Sequence, residues 1–200
     1  MKKVRTAITD ANGGMNSPRN YKLAVDMLKT HPYTNGRLYH LVLTGSEDRK
    51  DYQWAIDRLC RELRANDMPV MWKACYERDE EKRFHAHYFL LIESKDKIPC
   101  QWIRYREGEF LASMLAERKL GFNISQPQNR IHWHKGQPQN YARVPKKDSP
   151  RLDDCIQWIS YLYKERSKEA VTGQIYTSST NRGSAKARPT KQALTNKEKA

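Results

Sequence analysis

The sequence predicts an α+β fold, with a central antiparallel sheet of about four to five strands and helices packed on one side of it. Three observations carry that expectation. The apolar runs PVMWKACYE and FHAHYFLLIE flank a charged stretch, RDEEKR, and read as a β-hairpin. RLYHLVLT, residues 37–44, is rich in aromatic and branched side chains and reads as a further strand. Around these runs, four stretches repeat apolar residues at helical spacing.

In chain order, residues 1–16 are polar and end in Asn12-Gly13-Gly14, a flexible arm. Ser17 and Pro18 suit the cap and first position of a helix over 18–30, with Tyr21, Val25 and Leu28 on one face. Pro32 and Asn35-Gly36 break it before the strand at 37–44. Gly45-Ser46 then caps a long helix, 47–65, whose inner face is Tyr52, Ala55, Ile56, Leu59 and Leu63. Asn66-Asp67 stops it and the hairpin follows. A helix at about 109–119 turns Phe110, Leu111, Met114 and Leu115 inward, with Gly121 as its stop. Residues 122–134 read as loop plus strand, and 135–150 as a loop rich in Pro, Gly and Lys. The last helix spans 153–168, with Ile156, Ile159, Leu162 and Tyr163 on its apolar side. From Thr172 the composition turns to Ser, Thr, Asn, Gly and Lys, which predicts a disordered basic tail. The expected organisation is an arm (1–16), one domain (17–171) and a tail (172–200). One sheet face would carry helices and the other would be free to work.

Composition narrows the function classes. The longest apolar run, HYFLLI, is far shorter than the roughly 18 residues of a membrane span. The charged start MKKVRTAITD has no apolar stretch behind it, so a cytoplasmic protein with no membrane partner is expected. The formal net charge is +14. Residues 1–171 alone hold 31 basic against 22 acidic side chains, net +9, so the excess belongs to the body as well as the tail. That favours a polyanionic partner, nucleic acid first. The cysteines are Cys60, Cys75, Cys100 and Cys155. They form no CxxC pair and match no zinc template or cysteine-nucleophile pattern, and read as reduced thiols.

The chemistry concentrates on the hairpin. His85 and His87 in RFHAHYFLL alternate on a strand, so both imidazoles share a face and can ligate one cation. The bland alternative is a polar sheet face. If residue 77 pairs with 85, then 75 opposes 87 and 73 opposes 89. Glu77 then lies across from His85 on that face, with Cβ atoms about 5 Å apart. Two histidines and a carboxylate make a three-ligand set with open positions for a catalytic cation. A slip in register would bring Asp79 or Glu80 instead. In SYLYKER, Tyr161 and Lys164 lie three residues apart on one helix face. A phenol titrates near 10 and attacks only when a cation or base stabilises its oxyanion, which a metal-bound phosphate and the lysine supply. Tyr163 lies about 200° round the helix from Tyr161, so only one of the two can face the site.

His132-Trp133-His134 is a rival pair, but no acid stands within the six residues before it. With Arg130 and Lys135 beside it, Trp133 reads as a nucleic-acid contact that stacks on an unpaired base. Lys146 and Lys147, in the loop KGQPQNYARVPKKDSPR, suit phosphate oxygens.

Histidine, a small hydrophobe and histidine on a strand, an acid eight residues earlier and a later Tyr-x-x-Lys together resemble the HUH endonucleases. The strand around LVLTGS, the FHAHYF strand and Tyr161-Leu162-Tyr163-Lys164 match their successive motifs over about residues 37–166. The wording is most similar to the inovirus-type replication proteins of filamentous phages and prophages. The resemblance implies an HUH fold, whose topology is close to the RNA-recognition fold. It also implies a metal-dependent endonuclease that nicks and joins single-stranded or hairpin origin DNA to initiate rolling-circle replication. His85, His87 and Glu77 would hold Mg²⁺ or Mn²⁺. Tyr161 would attack phosphorus to give a 5′-phosphotyrosine and a free 3′-hydroxyl that primes a host polymerase. No second tyrosine stands four residues from Tyr161, which favours a single nucleophile, and no GxxxxGK[ST] is present, so a host helicase would unwind the duplex. Two other readings stay open, a single-tyrosine transposase and a non-catalytic nucleic-acid binder with an RNA-recognition-like sheet. The second would want exposed aromatics where this chain has Glu77, His85 and His87. A structural phage protein would leave the coincidence of the two motifs unexplained.

Overall fold

A computed structural model of the chain describes residues 17–80, 83–94, 110–125, 141–164, 168, 171 and 173–179. The elements are α1 (Pro18–Thr30), β1 (Gly36–Thr44), α2 (Arg49–Ala65), β2 (Val70–Asp79), β3 (Arg83–Glu93), α3 (Phe110–Ala116), β4 (Gly121–Ser125), β5 (Tyr141–Arg143), α4 (Pro150–Ile159) and β6 (Tyr176–Ser178). A 3₁₀ turn, Ser160–Tyr163, continues α4. The strands form one antiparallel sheet in the order β4-β1-β3-β2-β6, with β5 also pairing β1. The class is α+β, as the sequence predicts, with six strands among the described residues.

Local chemistry sets the helix ends. Asp48, rather than Gly45-Ser46, caps α2, accepting the Lys50 N–H at 2.8 Å. Ser46 is drawn into the turn before it, where its Oγ accepts the Asp48 N–H at 3.0 Å and its carbonyl accepts the Tyr52 hydroxyl at 2.6 Å. Gly45 has φ +100°, and a Cβ there would meet the Lys119 carbonyl oxygen at 2.9 Å, so the turn needs glycine. Ser17 precedes α1 in the left-handed region (φ 65°) with no side-chain cap. Ser149 caps α4, which begins at Pro150, three residues before the expected start. The expected helix to 168 stops early. The Ser160 hydroxyl donates to the Gln157 carbonyl at 2.6 Å, the backbone tightens into the 3₁₀ turn, and Lys164 is extended (φ −65°, ψ 142°).

Alternation along the strands divides the core. One sheet face carries Tyr39, Leu41, Trp72, Ala74, Tyr88 and Leu90 against α2 and α3. The other carries Leu38, Cys75, Phe89 and Leu91 against α1 (Ala24, Met27, Leu28) and α4 (Leu152, Ile156, Ile159). Helices therefore pack on both faces, not one. The reason is β3, where every residue from Tyr88 to Ile92 is wholly buried. Apolar residues at both parities leave no face that water can cover. The end of the second face nearest the hairpin turn is where the polar residues sit.

The expected tail also begins too early. Residues 176–178 form β6, which pairs with β2 in the register Lys73↔Ser178 and Cys75↔Tyr176. Tyr176 stacks on Tyr163 with ring centroids 5.3 Å apart. Composition hid this strand because Ile175 and Tyr176 stand alone among polar residues. The same applies to β5, inside the stretch expected as loop. No helix among the described residues is long and apolar enough to cross a membrane.

His31, just after α1, is buried, and neither ring nitrogen has a hydrogen-bond partner among the described residues. Burial chiefly, then the charge of Lys146, holds its pKa below the ordinary value, partly opposed by Glu93. The folded state thus favours neutral His31. Its contribution to stability is present above about pH 6.5 and is lost as pH falls through the folded value. Urea unfolding at pH 8 and pH 5 should show the wild type losing more stability on acidification than His31→Leu. Equal losses would remove His31 from the acid limb.

Candidate metal centre

The β2–β3 register places Glu77 opposite His85, Cys75 opposite His87 and Lys73 opposite Phe89, the pairing supposed above, without the slip toward Asp79 or Glu80. Glu77, His85 and His87 are all at least nine-tenths buried, on the polar end of the second face. One carboxylate oxygen, Glu77 Oε2, lies 3.6 Å from His87 Nε2 and 3.9 Å from His85 Nε2. Those separations are too long for hydrogen bonds. They suit donor atoms that surround a shared ion at about 2.0–2.2 Å each. All three ligand atoms lie within 4.8 Å of one another, so the group can hold a metal ion. His85 Nδ1 is 3.1 Å from the Arg83 carbonyl. It is therefore the protonated nitrogen, which leaves the Nε2 lone pair facing inward. Asp79 Oδ2 stands 3.8 Å from His85 Nε2 at the partly exposed rim.

Two residues at this centre escaped the sequence reading. His40, on β1, is buried and stacks on Phe89 at 4.3 Å. Its Nε2 is 2.9 Å from His87 Nδ1. If His87 presents Nε2 to a cation, its Nδ1–H donates to His40, which fixes the ring. The signal was available, since His40 pairs with Phe89 and so shares the face of His87. Lys168 is the other. Its side chain is wholly buried, and Nζ donates to Glu77 Oε1 at 2.7 Å. Nothing local in the sequence marks it, because it reaches Glu77 only after the chain has turned out of α4. The Cys75 thiol also donates to Glu77 Oε1, at 3.4 Å. Burial first, and the Glu77 charge second, push that thiol well above its usual range, so it stays protonated.

The 3₁₀ turn brings Tyr161 to the same place. Its ring is half-buried, with its centroid 5.3 Å from that of His87 and 5.7 Å from that of His40. Lys164 leaves the turn in extended backbone and sets Nζ 4.6 Å from the Tyr161 ring centroid, over its face. Tyr163 points the other way. It is 2% exposed and packs between Tyr21 and Tyr176. Burial pushes its pKa strongly up, which keeps the phenol protonated. A 3₁₀ turn separates the two tyrosines by about 240°.

The remaining residues singled out in the sequence do not join this group. Arg130, His132, Trp133, His134 and Lys135 lie outside the described residues. Lys146 bears electrostatically on His31, which precedes β1 at the end opposite the donor set. Lys147 follows it, exposed. Comparison of the chain with protein-family models, curated proteins and solved structures returned no match.

Proposed function

We propose that the chain is an HUH-type endonuclease that nicks and rejoins one DNA strand through Tyr161, starting rolling-circle replication. The observation that carries this reading is a tyrosine ring 5.3 Å from a histidine of a buried two-histidine, one-carboxylate donor set. A bound Mg²⁺ or Mn²⁺ would polarise the scissile phosphate. The other steps belong to the chain. The Tyr161 hydroxyl loses its proton and its oxygen attacks phosphorus. The bond from phosphorus to the 3′-oxygen breaks, and that oxygen takes up a proton. A 5′-phosphotyrosine remains on Tyr161, with a free 3′-hydroxyl on the DNA. Lys164, over the ring, stabilises the developing phenolate. The phosphotyrosine keeps the energy of the cut bond, so the reverse attack reseals the strand without ATP.

Polymerase and helicase would come from the host, acting on the 3′-hydroxyl and on the duplex beyond the nick. The net charge of +14 supports nucleic acid as the partner. In this reading, Arg130, Lys135, Lys146 and Lys147 contact phosphates and Trp133 stacks on an unpaired base. The polar end of the sheet carries His40, Glu77, His85 and His87, not the exposed aromatics of a base-stacking sheet.

The test incubates the full chain with a labelled library of single-stranded and hairpin DNA and Mn²⁺. A covalent protein–DNA band that survives denaturation is expected, and it should vanish with chelator. DNA binding that weakens steeply with salt but never yields such a band would leave a non-catalytic binder. Sequencing the captured strands then separates a fixed origin from transposon ends.

A further inference from the structure

The two oxygens of Glu77 face different partners. Oε2 faces both histidines, at 3.6 and 3.9 Å, while Oε1 accepts a hydrogen bond from the Lys168 ammonium at 2.7 Å. A wholly buried lysine is a rare placement, and its desolvation is costly unless a charged partner offsets it. Hydrophobic residues would hold the segment to the sheet at less cost. The placement of this charge therefore points to the centre itself.

We propose that Lys168 is a charge-tuning residue of the metal centre: it cancels the charge of Glu77, so the site holds a divalent cation weakly until a DNA phosphate arrives. The proposal rests on the metal reading above. Among the buried groups, two neutral imidazoles, one carboxylate and one ammonium sum to zero; the Asp79 carboxylate, 3.8 Å from His85 Nε2, stands at the partly exposed rim, where solvent screens it. A divalent cation on Oε2 and the Lys168 ammonium on Oε1 then share one carboxylate and repel each other. That cation keeps nearly its full charge within the protein, and a phosphodiester is the anion that would complete the balance. Metal and DNA should therefore tighten each other's binding by the same factor.

The competing role is plain positioning, in which Lys168 only holds the Glu77 carboxylate still. The two differ in sign. Loss of a positioning partner weakens metal binding by roughly 10- to 100-fold. Loss of a like charge this close to the cation strengthens it, and at such short range repulsion is the larger effect even at a high effective dielectric.

The experiment measures Mn²⁺ affinity of the full chain by calorimetry. Lys168→Met should bind Mn²⁺ at least about tenfold more tightly than wild type, and the charge-retaining Lys168→Arg should stay near wild type. A Lys168→Met protein with a wild-type melting curve and equal or weaker affinity would overturn the proposal. Should Lys168→Met fail to fold, a second measurement needs no change at Lys168. In Tyr161→Phe protein, which cannot cut, uncleaved single-stranded DNA should raise Mn²⁺ affinity at least about tenfold. Tight Mn²⁺ binding that DNA leaves unchanged sinks the role of Lys168 alone. No Mn²⁺ binding by wild type, with or without DNA, removes the metal centre and this proposal with it.

Discussion

Tyr161→Phe should abolish the covalent DNA adduct, with nicking reduced by at least about 10⁴-fold, because covalent catalysis without its nucleophile keeps only binding and charge stabilisation. DNA binding and Mn²⁺ binding should stay within a few-fold. The phenyl ring keeps the packing beside His40 and His87, at centroid separations of 5.7 and 5.3 Å, and retains a face for Lys164. Only the hydroxyl is lost. Tyr163→Phe should cut normally, since that hydroxyl is buried between Tyr21 and Tyr176 and held protonated. Lys164→Ala, which removes a cation from the ring face and leaves the nucleophile, should slow cutting by roughly 10- to 1000-fold. Mass spectrometry of the DNA-linked peptide decides between the tyrosines. A nucleotide on Tyr163 with Tyr161 unmodified would mean that the turn presents the other ring to DNA.

The His85→Ala, His87→Ala double variant should lose Mn²⁺ binding by at least about 100-fold, and nicking with it. It removes two of the three donors at once and leaves Glu77 with its Lys168 ion pair. The fold should survive. The hairpin is held from its other face by Tyr76, Phe84, Ala86 and Tyr88. Calorimetry beside a circular-dichroism melt is the check, and an intact Mn²⁺ isotherm in the double variant would end the assignment. His132→Ala with His134→Ala is the control, expected to bind Mn²⁺ as wild type does. If that protein loses the metal instead, the centre belongs to the other pair.

How much of this was legible depended on range. Alternation and one loop confine the hairpin register to within a residue or two, and the sheet adopts the pairing in which Glu77 opposes His85, not the slip that would bring Asp79 or Glu80. The separation of Tyr161 from Tyr163 was equally local, although it arises in a 3₁₀ turn rather than the expected α-helix. His40 was within reach but needed the β1–β3 register, which no short loop fixes. Lys168 was not within reach, since only tertiary folding sets it against a residue 91 positions away. The second helical layer was misjudged for a related reason. YFLLI, Tyr88–Ile92, is apolar at every position, and a run without alternation says that both faces are covered.

The pairing of β6 with β2 bears on how open the sheet edge is to another copy of the chain. Lys168 lies on the face of Glu77, whereas Val171 packs into the core on the opposite face. Lys168 and Val171 thus stand on opposite faces of the sheet, and β6 pairs along the edge of β2. Without β6, the ten residues of β2 would present a long row of unpaired amides and carbonyls. Such an edge is a template for a strand from another molecule. β6, Tyr176–Ser178, covers the middle of that edge, pairing with Lys73, Ala74 and Cys75. A chain cut back to residue 172 should therefore self-associate as well as loosen at Tyr163, whereas one ending after Ser179 should stay monodisperse. The same strand therefore covers part of the sheet edge and, through Tyr176, packs the Tyr163 ring.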